Sequence, residues 1–238
     1  MSERFLGGKI IVKQSEDGFR AGLDAVMLAA AVPEAANAFE LGAGAGTASL
    51  CLAARLSAIA ITGIEIDPAL AALANENAIA NGMDKRVTFV AADVFALPLE
   101  WKREYDAVLI NPPFHGEGQS SPDAARTRAL MDKGALRDWL EAGLKRTVSG
   151  GSFTAILRAD RLNEALAALP ETGVTAFPLW PKAGEAARRV LVQVRKGART
   201  PFCLLPGLIL HQASGAYTPE ADAILRGEAA LALVGTRL

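Results

Sequence analysis

The sequence predicts an α/β fold: a mostly parallel seven-stranded sheet with an antiparallel last strand and helices on both faces. Three observations point there. Short apolar runs alternate with segments of helical spacing along the chain, the pattern of a parallel sheet covered on each side. Of the 238 residues 51% are hydrophobic, which is ample for one large core. The last two apolar runs, 174–179 and 190–194, lie too close together for a full crossover helix, so they add an antiparallel strand.

In chain order, residues 8–14 read as a short strand and 15–18 as a turn. A helix over 24–32 follows, with Asp24 placed to cap or charge its first turn and Pro33 ending it. The strand 38–41 runs into Gly42-Ala43-Gly44-Ala45-Gly46, and a helix over 47–56 carries Leu50, Cys51 and Ala54 on one face. The strand 59–64 ends at Glu65-Ile66-Asp67. Pro68 opens the next helix, and Asn81-Gly82 closes it. The strand 87–91 closes at Asp93, and the strand 105–110 stops abruptly at Asn111-Pro112-Pro113-Phe114. Residues 115–123 are too long for a tight connection, and loops of this length tend to carry function.

Leu136, Trp139, Leu140, Leu144 and Val148 make one apolar face of a helix over 135–148, ended by Gly150-Gly151. A strand over 152–157 and a helix over 160–169 precede the final pair, which a basic loop over 182–189 joins. In the tail, 208–211 reads as a strand expected to pair with the N-terminal one. Thr218-Pro219 reads as an N-cap and first helical residue.

Composition excludes several classes. A net charge of -1 and a pI near 6.2 do not suit a protein that coats nucleic acid by charge alone. Cys51 and Cys203 are far apart in apolar surroundings, so a disulfide framework or cysteine metal site is not expected, and a reducing cytoplasm is. The N-terminus does not read as a signal peptide, and no apolar run is long enough to span a membrane.

Glycines 42, 44 and 46 sit at a strand-to-helix turn, where a missing Cβ lets the backbone pass close to a ligand. A dinucleotide site would want glycine at position 47, where Thr47 stands. Glu65 ends the following strand, where an acid can grip ribose hydroxyls, and Asp93 closes the third with the Val94 N–H beside it. Glu40, Glu65 and Asp93 thus fall at or beside consecutive strand ends, on the carboxyl edge where open α/β sheets bind ligands. An adenosyl group without phosphate suits this lining. Asn111 offers an amide oxygen that accepts hydrogen bonds without being a base, and Phe114 offers a flat face. Together they suit a planar substrate carrying an NH2 group. His115 reads as a proton acceptor or a solvated loop residue, and His211 as structural. The sequence shows neither a Ser/His/Asp triad nor a metal site, and no metal is expected.

Glu-Leu-Gly-Ala-Gly-Ala-Gly, Gly-Ile-Glu-Ile-Asp, Ala-Ala-Asp-Val and Asn-Pro-Pro-Phe, in that order, resemble the motif set of class I S-adenosylmethionine-dependent methyltransferases, Rossmann-like enzymes. Among these the chain resembles the amino-group methylators. Gly22-Leu23-Asp24-Ala25-Val26-Met27-Leu28-Ala29, with Asn77 and Asn81-Gly82, resembles more narrowly the bacterial tRNA adenine-N6 methyltransferases that act beside the valine anticodon. The cofactor motifs span residues 20–157. The resemblance implies S-adenosyl-L-methionine as cofactor, with Glu40, Gly42, Gly44 and Gly46 around its methionine part and Asp24 near its carboxylate. It puts Glu65 and Ile66 at the ribose, and Asp93 and Val94 at the adenine. Asn111, also bordering the cofactor, and the Pro112 carbonyl would accept the two N–H bonds of the target amine. Pro113 would complete the rigid turn, and Phe114 would stack on the target ring. A single catalytic domain over 1–238 is expected, with an extension over 1–34, a core over 35–196 and a tail over 197–238 packed on it.

The same motif serves adenine-N6, cytosine-N4, guanine-N2 and glutamine amides. Stacking on Phe114 favours a base, flipped out or held in a loop. Arg126, Arg128, Lys133 and Arg137, and separately Lys182, Arg188 and Arg189, read either as phosphate contacts or as solvated faces. The expected activity is methylation of an exocyclic amine, adenine N6 of tRNA, with tRNA or another RNA as partner. A protein-glutamine methylator or another RNA or DNA base amino-methyltransferase is the alternative substrate reading, and a non-catalytic S-adenosylmethionine- or RNA-binding module the alternative class. No membrane partner is expected.

Overall fold

The computed structural model describes residues 2–15, 21–113 and 136–233. Phe114, His115, the 115–123 loop and the cations Arg126, Arg128 and Lys133 lie outside the described residues. The chain opens with strands β1 (Ser2–Phe5) and β2 (Ile10–Lys13), then helix α1 (Leu23–Ala31). Next come β3 (Asn37–Leu41), α2 (Thr47–Arg55), β4 (Ala60–Glu65), α3 (Pro68–Ala80), β5 (Val87–Ala91) and β6 (Tyr105–Ile110). They are followed by α4 (Leu136–Lys145), β7 (Thr147–Arg158), α5 (Leu162–Ala168), β8 (Val174–Trp180) and β9 (Arg189–Arg195). The tail adds β10 (Cys203–Leu204), β11 (Leu208–Ile209) and α6 (Pro219–Leu225).

The central sheet runs β5-β4-β3-β6-β7-β9-β8. Only β9 is antiparallel to its neighbours, so the carboxyl ends of the others share one edge. Beyond the predicted seven strands, β10 and β11 both add to β8 in parallel. Side chains alternate between two cores. Ala107 and Leu109 of β6 face the one that holds α1, α2 and α6; Val108 and Ile110 face the one that holds α4 and α5. In the second core Phe39 stacks on Tyr105 with ring centroids 4.3 Å apart.

The N-terminal strand does not pair with the tail. It forms a hairpin with β1, which the sequence reading missed because Ser2–Phe5 is short and half charged. Asparagine side chains of α3 tie down the hairpin. Asn77 accepts the Lys13 N–H at 2.8 Å and donates to the Lys13 carbonyl at 2.9 Å, and Asn81 does the same for Ile11 at 3.0 and 2.7 Å. Asn75 brackets Phe89 in the same way.

The helix predicted over 135–148 stops at Lys145, and β7 begins at Thr147. The Tyr105 N–H bonds the Arg146 carbonyl at 2.7 Å, and Thr147 then pairs with Tyr105, so the sheet claims Val148 from the helical face. Apolar spacing alone cannot separate the two outcomes there. Where β4 crosses β5 the packing leaves no room: a Cβ on Gly63 would stand 2.4 Å from the Phe89 ring and 3.0 Å from Ala43 Cβ. Gly63→Ala therefore lowers stability by roughly 1–3 kcal/mol, seen as a drop of several degrees in the melting temperature.

Candidate active site

The turn after β3 hangs on β4: the Gly42 and Ala43 N–H groups both bond the Ile64 carbonyl, at 2.8 and 2.9 Å. Gly42, Gly44 and Gly46 all have left-handed backbone, with φ of 72°, 54° and 83°. Their surroundings differ. A Cβ on Gly46 would stand 2.5 Å from the Phe89 ring and one on Gly42 3.2 Å from Trp139, whereas one on Gly44 would meet nothing within 4 Å. The open side of the turn is at Gly44, and there Glu65 stands. Its Oε2 accepts the Gly44 N–H at 2.8 Å and its Oε1 the Asp67 N–H at 3.0 Å.

Glu65 is only 3% exposed, and burial pushes its carboxyl above the usual range, with the two N–H donors opposing the shift. Among the described residues no cation pairs with it. A buried acid at the open side of a glycine turn has acceptor capacity left for hydroxyl donors, which fits a ribose. Ile66 is half-buried next to it.

Glu40, paired with Gly63 on the neighbouring strand, lies on the same face of the sheet as Glu65. Ser49, in the first turn of α2, donates both its N–H (3.1 Å) and its hydroxyl (2.5 Å) to Glu40 Oε2. Burial pushes the Glu40 carboxyl from 4.5 up to about 8, against those bonds and helped by the nearby Glu65 charge. Folded protein therefore holds a proton on Glu40 that the unfolded chain has lost, and stability falls as pH rises from 4.5 to about 8. Glu40→Gln flattens that slope and leaves the variant more stable than the parent at pH 8 in thermal melts.

At the end of β5 the Asp93 carboxylate accepts the Phe95 N–H at 2.9 Å, and half-buried Val94 lies between them. Phe95, 40% exposed, meets Trp139 edge-on at 5.4 Å. These rings form an aromatic wall between the glycine turn and Asp93. Sequence reading did not single them out, because Trp139 fits the apolar face of a helix and Phe95 follows a strand end without any pattern.

Asn111 follows β6 directly. Its Oδ1 is buried and has no hydrogen-bond partner among the described residues, and Pro112 behind it is buried too, with Pro113 half-buried. Leaving such an acceptor unmet costs about 1–3 kcal/mol, a cost that a ligand donor would remove. Asp24 stands in the first turn of α1, as expected, but does not cap it: the N-cap is Gly22, without a side-chain bond, and Asp24 Oδ2 takes the Arg189 Nε–H at 2.8 Å. Arg189 opens β9, so this pair stands on the same sheet edge as Asn111. Arg137 pairs with Glu141 on the exposed side of α4. Among the described residues no three His, Cys, Asp or Glu side chains gather to hold a metal.

Residues 15–138 match the methyltransferase small domain family. A tRNA1(Val) (adenine(37)-N6)-methyltransferase of Porphyromonas gingivalis is 29% identical, over 88% of this chain and 88% of the relative. The enzyme of the same name from Aeromonas hydrophila is 29% identical over 84% of this chain and 85% of its own length. Among solved structures, an Agrobacterium tumefaciens protein described as a predicted O-methyltransferase superposes with a TM-score of 0.73 at 28% identity, covering 88% of this chain and 98% of that one. A precorrin-6y C5,15-methyltransferase from Geobacter metallireducens, 18% identical with a TM-score of 0.53 over 78% of this chain and 94% of that one, shares the fold. With its sheet order, its glycine turn and a family match over more than half its length, the chain belongs to the methyltransferase small domain family and is a methyltransferase of Rossmann-like fold.

Proposed function

We propose that this protein transfers a methyl group from S-adenosyl-L-methionine to an exocyclic amine, and that the amine is adenine N6 of tRNA. The buried Oδ1 of Asn111, without a partner among the described residues, carries the amine reading, since an N–H donor is what that atom takes. The names of the relatives support tRNA adenine as the substrate. An oxygen acceptor, as in the name of the Agrobacterium neighbour, would call for a base to take the hydroxyl proton, and an amide is not one. The whole chain, tail included, is read as one catalytic unit.

When bound, the cofactor supplies a methyl group already activated on a sulfonium. The protein's own residues hold and orient. Glu65 accepts the ribose hydroxyls, Asp93 and Val94 meet the adenine, and the bare backbone at Gly44 lets the methionine part lie close. Asn111 and the Pro112 carbonyl take the two N–H bonds of the target amine from outside the ring plane. That geometry favours a pyramidal nitrogen, whose lone pair has left the ring and faces the methyl group, closer to the transition state than to the free base. Alignment of the two reactants supplies much of the remaining acceleration. The surplus proton is lost to water after the new N–C bond has formed.

The test is tritiated methyl transfer into bulk tRNA from a strain lacking the protein, beside total protein from that strain. Label recovered as N6-methyladenosine is the expected result. Label in protein alone would replace this reading with the glutamine one, and label in neither would remove both.

A further inference from the structure

The tail carries, ahead of α6, a surface that the reaction as described does not use. β11 extends the sheet beside β8, and the Leu210 and His211 N–H groups bond the Trp180 and Pro181 carbonyls at 2.8 and 2.9 Å. The chain then doubles back: His211 bridges Tyr217, the Gln212 N–H bonds the Ala216 carbonyl at 2.8 Å, and the Gln212 amide holds the Tyr217 carbonyl at 2.9 Å. On this turn the His211 and Tyr217 rings stack 4.6 Å apart at 24°, and Tyr217 remains 40% exposed. His211 Nδ1 donates to the Gly215 carbonyl at 3.1 Å, which leaves Nε2 as an acceptor. An aromatic pair held this rigidly fills no core.

Its position matters. β8 and β11 point their carboxyl ends to the edge that carries Asn111. With strands about 4.8 Å apart, the turn stands roughly 15–20 Å along that edge from Asn111, the length of about five stacked nucleotides. Between them lie the cations of the 181–188 loop and its surroundings. Arg158, Arg161 and Arg189 are spent on Asp160, Glu164 and Asp24, whereas Lys182 and Arg188 form no ion pair among the described residues.

We propose that the 211–217 turn docks the RNA substrate, Tyr217 stacking on an unpaired base while Lys182 and Arg188 meet phosphates between it and the target. This rests on the tRNA reading above. A ring stacked on a second ring offers a base a flat, pre-ordered face at little entropic cost, and free cations beside it suit the backbone on either side.

The experiment uses full-length protein, bulk tRNA from the deletion strain, and S-adenosylhomocysteine as a separate binding probe. Tyr217→Ala should raise the KM for tRNA about tenfold, with kcat and S-adenosylhomocysteine affinity unchanged, and Tyr217→Phe should behave as the parent. The Lys182→Ala/Arg188→Ala double variant should reduce the slope of tRNA affinity against salt by between about one and two. If the parent methylates tRNA and Tyr217→Ala keeps its KM, the docking surface is refuted and the tRNA reading stands. If the parent methylates no tRNA, the tRNA reading falls. A KM raised for a protein substrate instead would overturn the RNA assignment of this turn.

Discussion

Asn111→Ala lowers kcat for methyl transfer by roughly 10²–10³-fold while S-adenosylhomocysteine still binds within a few-fold of the parent affinity. The size follows from removing one preorganised partner of a transition state in a site that excludes water. Because the Oδ1 atom has no partner among the described residues, its loss strands no donor there. The variant should therefore keep the parent melting temperature or exceed it, since a buried orphan costs about 1–3 kcal/mol. Loss of rate without loss of fold separates a substrate contact from a structural one. If the acceptor acts mainly in the transition state, kcat and kcat/KM fall together; if only KM rises, Asn111 merely binds the substrate. Asn111→Asp keeps an acceptor at the same place and should retain measurable activity. A drop of less than tenfold in the alanine variant would remove Asn111 from the chemistry.

Sequence reading was most successful where local rules and the sheet agree. Asp67 accepts the N–H groups of Ala69 and Leu70 ahead of Pro68, and Gly82 takes a left-handed φ of 66°, so both ends of α3 could be read from capping residues alone. Pro112 and Pro113 mark the end of β6 in the same way. The acids at strand ends were legible as neighbours because a parallel sheet brings its carboxyl ends to one edge whatever the side chains do. What remained hidden needs contacts remote in sequence. Asp24 looks like a cap until Arg189, 165 residues away, claims its carboxylate. Glu40 and Glu65 share a face of the sheet, but no local pattern shows that Ser49 of α2 holds the Glu40 carboxyl while the Gly44 and Asp67 N–H groups hold that of Glu65. The short strand β10 carries too few residues to show a period; β11 was legible as a strand over 208–211, but its pairing with β8 instead of the N-terminal strand was not, and both exist because the edge of β8 offers them unpaired backbone.

Glu65→Gln weakens cofactor binding by roughly 10- to 100-fold, measured by isothermal titration with S-adenosylhomocysteine, the range expected for about 1.5–3 kcal/mol of charged hydrogen bonding. At saturating cofactor kcat should stay within a few-fold, because the ribose is remote from the reacting nitrogen. The amide also accepts through only one oxygen, so it cannot serve both the Gly44 and Asp67 N–H groups and the turn at Gly44 loosens. The pH dependence gives an independent check. Burial raises the Glu65 carboxyl above its ordinary value, so the protein protonates it, and loses cofactor affinity, at a higher pH than an exposed glutamate would. The same shift acts on folding with the opposite sign: the folded state holds the proton more tightly than the unfolded chain, so stability decreases as pH rises through the raised value. Rising pH thus trades intrinsic stability for cofactor affinity at one carboxyl group, and Glu65→Gln abolishes the affinity slope while removing only the Glu65 share of the stability slope, that of Glu40 remaining. An affinity within threefold of the parent, or a pH slope of affinity that survives the substitution, would take Glu65 out of the cofactor site.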